Sequence, residues 1–202
     1  MENERACIKV AVFASGNGGN FEQLVLKVHH NPQVAAKICF VLTDQADAFV
    51  LERAKRQGIT GIFCEPKAFQ SKALYEAEIL SYLKKYGVEL ILLAGYMRII
   101  GPTLLQEYQG KILNIHPSLL PQFPGKQGVK DAFEAGVCQT GVTVHLVDEG
   151  VDTGPILAQE SVSIVPGESI EKLEQKIHQV EHELYPKTVL ELITKMKGNN
   201  PK

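Results

Sequence analysis

The stretch CIKVAVFASGNGGNFEQLVLKVHH (7–30) decides the fold. Cys7 to Ala14 is a short apolar run, β-branched at Ile8, Val10 and Val12, with the signature of a strand buried on both faces. SGNGGN (15–20) turns the chain, and Phe21 to His30 follows as a helix. The same unit then recurs. AKICFVLT (36–43), TGIFC (60–64) and ELILLA (89–94) read as buried strands, with helices over Ala48–Gln57 and Ser71–Tyr86 closing near Gly, Pro or Asn. Strands that alternate with helices predict a doubly wound α/β fold around a mostly parallel sheet with right-handed crossovers.

The second half is less regular. A short helix after Pro102, the strand KILNIH (111–116), a Pro-rich loop and a helix near Val129–Ala135 precede two strands, TGVTVHLVD (140–148) and ILAQESVSIV (156–165). The alternation of the last strand suggests an exposed or edge position. A long amphipathic C-terminal helix is expected from about Ser169, with Ile170, Leu173, Ile177, Val180 and Leu184 at helical spacing. Pro186 should kink or interrupt it, and the tail KGNNPK (197–202) should be disordered. With no repeat or low-complexity linker, residues 1–202 read as one domain. Residues 1–100 would form a phosphate-binding half and 101–202 a catalytic half.

With 45% hydrophobic and 22% charged residues, the 202-residue chain has ordinary globular composition. A net charge of −2 and the absence of any Lys/Arg run give no footprint for nucleic acid, so small-molecule partners are expected. No apolar run approaches the roughly 18 residues of a membrane span. Glu2 and Glu4 stand where a secretory signal would carry positive charge. Four scattered cysteines suit reduced thiols in a cytoplasmic protein, and no zinc or other metal set is read.

Three features carry chemistry. In SGNGGN the glycines Gly16, Gly18 and Gly19 let backbone N–H groups at a helix start approach an anion, usually a phosphate. The third glycine of a dinucleotide fingerprint would fall at Phe21, and no GK[ST] follows, so a monophosphate ester fits better than NAD or ATP. Asp44 is accordingly read as a helix-capping or loop residue. The second feature is LNIHPSLLP (113–121), where Asn114 and His116 are two apart and face one way at a strand's carboxyl end, the side where open α/β sheets bind ligands. The third is VDEGVDTGP (147–155), in which Asp148, Glu149 and Asp152 compete to orient His116, and a carboxylate beside it would favour the imidazolium. His145 is read as a packed strand histidine, and His29, His30 and His182 have no constellation.

SGNGGN, AGYMRII (94–100), LNIHPSLLPQFPG (113–125), GVTVHLVDEGVDTGP (141–155) and EHELYP (181–186) together resemble the formyltetrahydrofolate-dependent formyltransferases, most closely those that act on glycinamide ribonucleotide in purine (IMP) biosynthesis. The likeness runs in order over nearly the whole chain. It implies a Rossmann-like formyltransferase fold, 10-formyltetrahydrofolate as formyl-donor cosubstrate, glycinamide ribonucleotide as acceptor, no metal, and a monomer or homodimer. It implies Asn114, His116 and Asp152 as catalytic residues. Gly18, Gly19, Asn20, His178 and Glu181 would bind the ribonucleotide. The folate would take Lys72, Met97, Arg98, Ile99, Ile100 and Asn114, with Asp148, Glu149, Gly150, Val151 and Asp152. The chain departs from that pattern in having Gly19 where Ser is frequent, His178 for Gln, Lys72 for Arg, and no histidine in KQGVKDAF (126–133). A different formyltetrahydrofolate enzyme, formylating an amino sugar or hydrolysing the donor, is the nearest rival. A nicotinamide-dependent oxidoreductase and a non-enzymatic phospho-ligand-binding module stand further off.

Overall fold

A strand buried on both faces needs an apolar residue at every position, because successive side chains point opposite ways. β1 (Ile8–Phe13) meets this demand from Val10 onward, past an exposed Lys9, with Val10 and Val12 packed on one face of the sheet and Ala11 and Phe13 on the other. β4 (Leu90–Leu93) repeats it with Leu90 and Leu92 against Ile91 and Leu93. The computed structural model describes residues 7–198. Its sheet is completed by β2 (Ala36–Thr43), β3 (Thr60–Phe63), β5 (Ile112–His116), β6 (Gln139–Leu146) and β7 (Ile156–Ser163), in the order β3-β2-β1-β4-β5-β6-β7. The first five strands are parallel, and β6 and β7 are antiparallel to their neighbours. β7 is the edge strand its alternation suggests, with Ile156 and Leu157 exposed.

Two apolar layers cover the sheet. One is built by α1 (Gly19–Leu24), which runs on as a π-helical turn over Val25–His29, with α2 (Val50–Arg56) and α6 (Ile170–Gly198). The other is built by α3 (Lys72–Tyr86) and α4 (Pro102–Glu107). α5 (Gly128–Glu134) lies at the end of the Pro-rich loop. The chain builds outward from β1 to β3, then crosses back to β4, so the strand order reverses between β1 and β4. That reversal opens a crevice at the strands' carboxyl ends.

The expected interruption of α6 at Pro186 does not occur. The helix runs unbroken through Pro186, which is buried. A proline inside a helix deprives the carbonyl four residues earlier of its N–H partner, here that of His182. Lys27 Nζ replaces it, donating to His182 O at 2.9 Å while pairing with Glu183 at 2.7 Å. The tail KGNNPK divides: Lys197 and Gly198 close α6, and the rest lies outside the described residues. No helix among the described residues is long and apolar enough to cross a membrane.

Replacing Lys27 by Met should strand the His182 carbonyl and lower stability by about 1 kcal/mol, or about 2–4 °C in Tm for a chain of this size. Thermal unfolding of Lys27→Met against the unaltered protein checks it; an unchanged Tm would mean that the carbonyl does not depend on Lys27.

Candidate active site

The crevice holds a cavity of about 790 Å³ walled by the turn after β1, the ends of β4 and β5, the β6–β7 turn and one face of α6. Gly18 caps α1 in the left-handed region (φ 79°), and a side chain there would run into Val50 of α2, 2.6 Å from the Cβ position. Only glycine serves at that spot. α2 holds the turn from behind, Val50 N donating to Gly16 O at 3.1 Å. The first N–H groups of α1 have no partner within the helix, and Gly18, Gly19 and Asn20 line the cavity.

α6 brings its polar face to this turn. Tyr185, fully buried, reaches Leu93 O at 2.9 Å and Leu113 O at 3.2 Å, which fixes α6 against the ends of β4 and β5. One turn earlier, Glu181 accepts from Asn20 Nδ2 at 3.0 Å. Asn20 Oδ1 is buried and has no hydrogen-bond partner among the described residues. Burial pushes the Glu181 carboxyl above its ordinary range, outweighing the Asn20 amide and the positive charge of His178. His178 stacks on His182 with ring centroids 6.4 Å apart. A side chain at Gly19 would begin 3.1 Å from His182 Nε2, so this histidine borders the turn although sequence placed it in no constellation.

At the end of β5, Asn114 and His116 do share a face, and Asp152 is the acid that reaches them. Its Oδ2 lies 3.5 Å from His116 Nδ1 and accepts from Gly125 N at 2.8 Å. Its Oδ1 lies 3.4 Å from Asn114 Nδ2 and 3.6 Å from His145 Nε2. Burial resists ionisation of Asp152, but the His145 contact, the Gly125 N–H and the charges of both histidines together hold its carboxyl below the usual range. The residue sits at φ 55°, a left-handed conformation that aspartate tolerates better than most side chains. His116 Nε2 lies 2.8 Å from Phe123 O, which identifies Nε2 as a proton-bearing position because a carbonyl only accepts. His145 is the packed strand histidine expected, with Nδ1 on Leu146 O at 2.8 Å, but it is also paired across the ladder with Asn114, 3.1 Å from its Nδ2. The other two acids of the turn do not reach His116. Asp148 accepts from Gly150 N and Thr153 Oγ1 and so shapes the turn, while Glu149 is exposed and off the cavity wall.

The loop after β4 presents Met97 and Ile99, 50% and 59% exposed, to the cavity, with Ile100 buried behind them. Asp44 lies in the loop after β2, as expected, but it caps no helix. It is buried, accepts from Ser15 Oγ (2.6 Å), Arg98 Nε (2.8 Å) and Gln45 Nε2 (2.9 Å), and so anchors this loop. Burial opposes its charge, yet these donors hold its carboxyl below the ordinary value. Ser15 Oγ in turn accepts from Met97 N at 2.9 Å. Lys72 is not on the main wall; with Lys126 it lines an adjoining cavity of about 440 Å³, 3.9 Å from Glu76.

Residues 8–189 match the formyl transferase family, and the chain belongs to it. It is 50% identical over 185 residues to the phosphoribosylglycinamide formyltransferase of Bacillus subtilis (strain 168), covering 92% of this chain and 94% of that protein. Among solved structures, glycinamide ribonucleotide transformylase 1 from Geobacillus kaustophilus is 53% identical with TM-score 0.89, over 93% of this chain and 99% of that one. Phosphoribosylglycinamide formyltransferase from Bacillus halodurans is 45% identical with TM-score 0.91, over 96% and 100%.

Glu181 has a cost that can be measured. A carboxyl whose folded pKa is raised destabilises the fold above its unfolded pKa, and the penalty grows until pH passes the folded value. Glu181→Gln should therefore raise Tm at neutral pH, by about 2–4 °C for each kcal/mol recovered. The gain should shrink as pH falls toward the ordinary glutamate range. Melting curves across pH decide this, and a gain independent of pH would show that burial of the charge is not the cause.

Proposed function

We propose that the chain transfers the formyl group of 10-formyltetrahydrofolate to the glycyl amine of glycinamide ribonucleotide, yielding formylglycinamide ribonucleotide and tetrahydrofolate in de novo purine biosynthesis. One observation carries the reading: Asn114, His116 and Asp152 meet in a cavity that the glycine turn also lines. In this reading the phosphate docks on the backbone of Gly18, Gly19 and Asn20. Glu181 and His178 hold the ribonucleotide, and the amine reaches toward β5. The pterin lies along Met97 to Ile100 and the backbone of Asp148 to Asp152, and Lys72 meets the anionic tail through the adjoining cavity.

The amine nitrogen attacks the formyl carbon, and the carbonyl oxygen becomes an oxyanion. Asn114 Nδ2 lies 3.4 Å from Asp152 Oδ1, and this long contact gives way to the oxyanion. Loss of such a donor costs about 10²–10³ in rate. His116, as imidazolium, keeps Nδ1–H on Asp152 and presents Nε2–H, exchanging the Phe123 carbonyl for the reacting group. A positioned acid of this kind contributes roughly 10²–10⁴. Collapse breaks the bond to N10, which takes a proton as the attacking nitrogen loses one, so the proton count closes without a covalent intermediate. The reading carries with it a cytoplasmic location and small-molecule partners, the protein acting as a monomer or homodimer.

Release of tetrahydrofolate from 10-formyltetrahydrofolate should depend on added glycinamide ribonucleotide. Asn114→Ala, His116→Ala and Asp152→Asn should each lower turnover at least about a hundredfold while the fold survives. Release that ignores the ribonucleotide would indicate a hydrolase instead, and near-normal turnover in any variant would remove that residue from the mechanism.

A further inference from the structure

Outside the groups so far assigned, one charged side chain is spent entirely on the glycine turn. Arg53, on α2, donates from Nε to Asn17 O at 2.8 Å, from Nη2 to Asn17 Oδ1 at 2.7 Å, and from Nη1 to Glu22 Oε2 at 2.5 Å. Its guanidinium also lies 5.1 Å from the centre of the Phe49 ring. Asn17, Glu22 and Arg53 all border the main cavity.

Two physical problems meet here. A turn containing Gly16, Gly18 and Gly19 is loose by itself, and ordering it when a ligand arrives would subtract from affinity. Glu22 lies in the first turn of α1, where a carboxylate is drawn to the same positive helix end that an anionic ligand needs. Arg53 answers both, since its planar fork holds the backbone and side chain of Asn17 while its charge cancels that of Glu22. Lysine has the charge but not the fork.

We infer that Arg53 sets both the shape and the charge of this turn and thereby controls affinity for a phosphate monoester, an inference that rests on reading the turn as the ribonucleotide phosphate site. Arg53 acts through Asn17 and Glu22 and is a positioning residue, so its removal should change ligand binding far more than chemistry.

The test measures KM for glycinamide ribonucleotide, KM for 10-formyltetrahydrofolate, kcat, and competitive inhibition by ribose 5-phosphate in Arg53→Met, Arg53→Lys, Glu22→Gln and the Arg53→Met/Glu22→Gln double variant. Losing three charge-assisted hydrogen bonds should raise the ribonucleotide KM and the ribose 5-phosphate Ki together, roughly 10- to 100-fold in Arg53→Met, with kcat and the folate KM within about threefold. Arg53→Lys should fall between, and the double variant should regain about threefold or more over Arg53→Met because the unmasked carboxylate is gone. An Arg53→Met protein with unaltered Ki, or one losing kcat and folate affinity in equal measure, would overturn the inference, and a double variant no better than Arg53→Met would overturn its charge-masking half. If Arg53→Met does not fold, Arg53→Lys decides, and wild-type Ki in that variant overturns the proposal. Failure of ribose 5-phosphate to compete in the unaltered protein would instead sink the phosphate reading of the turn.

Discussion

A carboxylate drawn largely out of water must be surrounded by donors or it will not keep its charge, and the carboxyl end of this sheet is organised by that demand at Asp152. The end of β5 lends it two polar side chains and the end of β6 one, and the Pro-rich loop lends a backbone N–H at Gly125. Asn114, His116 and His145 thereby acquire fixed orientations relative to one another. Asp152 itself is held in a left-handed conformation that few residues accept. The charge, the strained turn and the two histidines support one another.

The same logic recurs across the crevice, each time with one polar side chain in place of many weak contacts. Asp44 ties the end of β1 to the loop after β4 through Ser15 and Arg98, joining the two segments on either side of the strand-order reversal. Arg53 ties α2 to the glycine turn. Lys27 serves the carbonyl that Pro186 leaves without a partner, which lets α6 stay helical past the proline. Tyr185 sets the height of α6 on the sheet, so that Glu181 arrives beside Asn20. Apolar layers decide that the sheet forms; these polar anchors decide what its open end presents.

Much of this was legible in the chain. The central strands announced themselves because a strand covered on both faces has no polar alternation to obscure it, as in LILL over β4, whereas β3, also read as buried, is the other edge of the sheet with only Ile62 of its four residues buried. The pairing of Asn114 with His116 followed from the two-residue period of a strand, and the glycine turn from its composition. Asp44, Arg53 and His182 were not legible as site residues, since the partners that bring them there, Ser15 for Asp44, Asn17 for Arg53 and Gly19 for His182, lie 29 or more residues away. The choice of Asp152 over Asp148 and Glu149 was equally closed to spacing, because three acids in five positions differ only in the direction each backbone segment gives them.

By itself, then, the sequence determined the α/β architecture, the faces of the strands and the inventory of groups at their carboxyl ends, all consequences of local periodicity and of residue chemistry. Only the tertiary structure decided which acid holds His116, that α6 survives Pro186, that Asp44 is an anchor, and that His145 touches Asn114. Each of those depends on distances between segments remote in the chain, and such distances are fixed by how helices settle on the sheet, which no local pattern encodes.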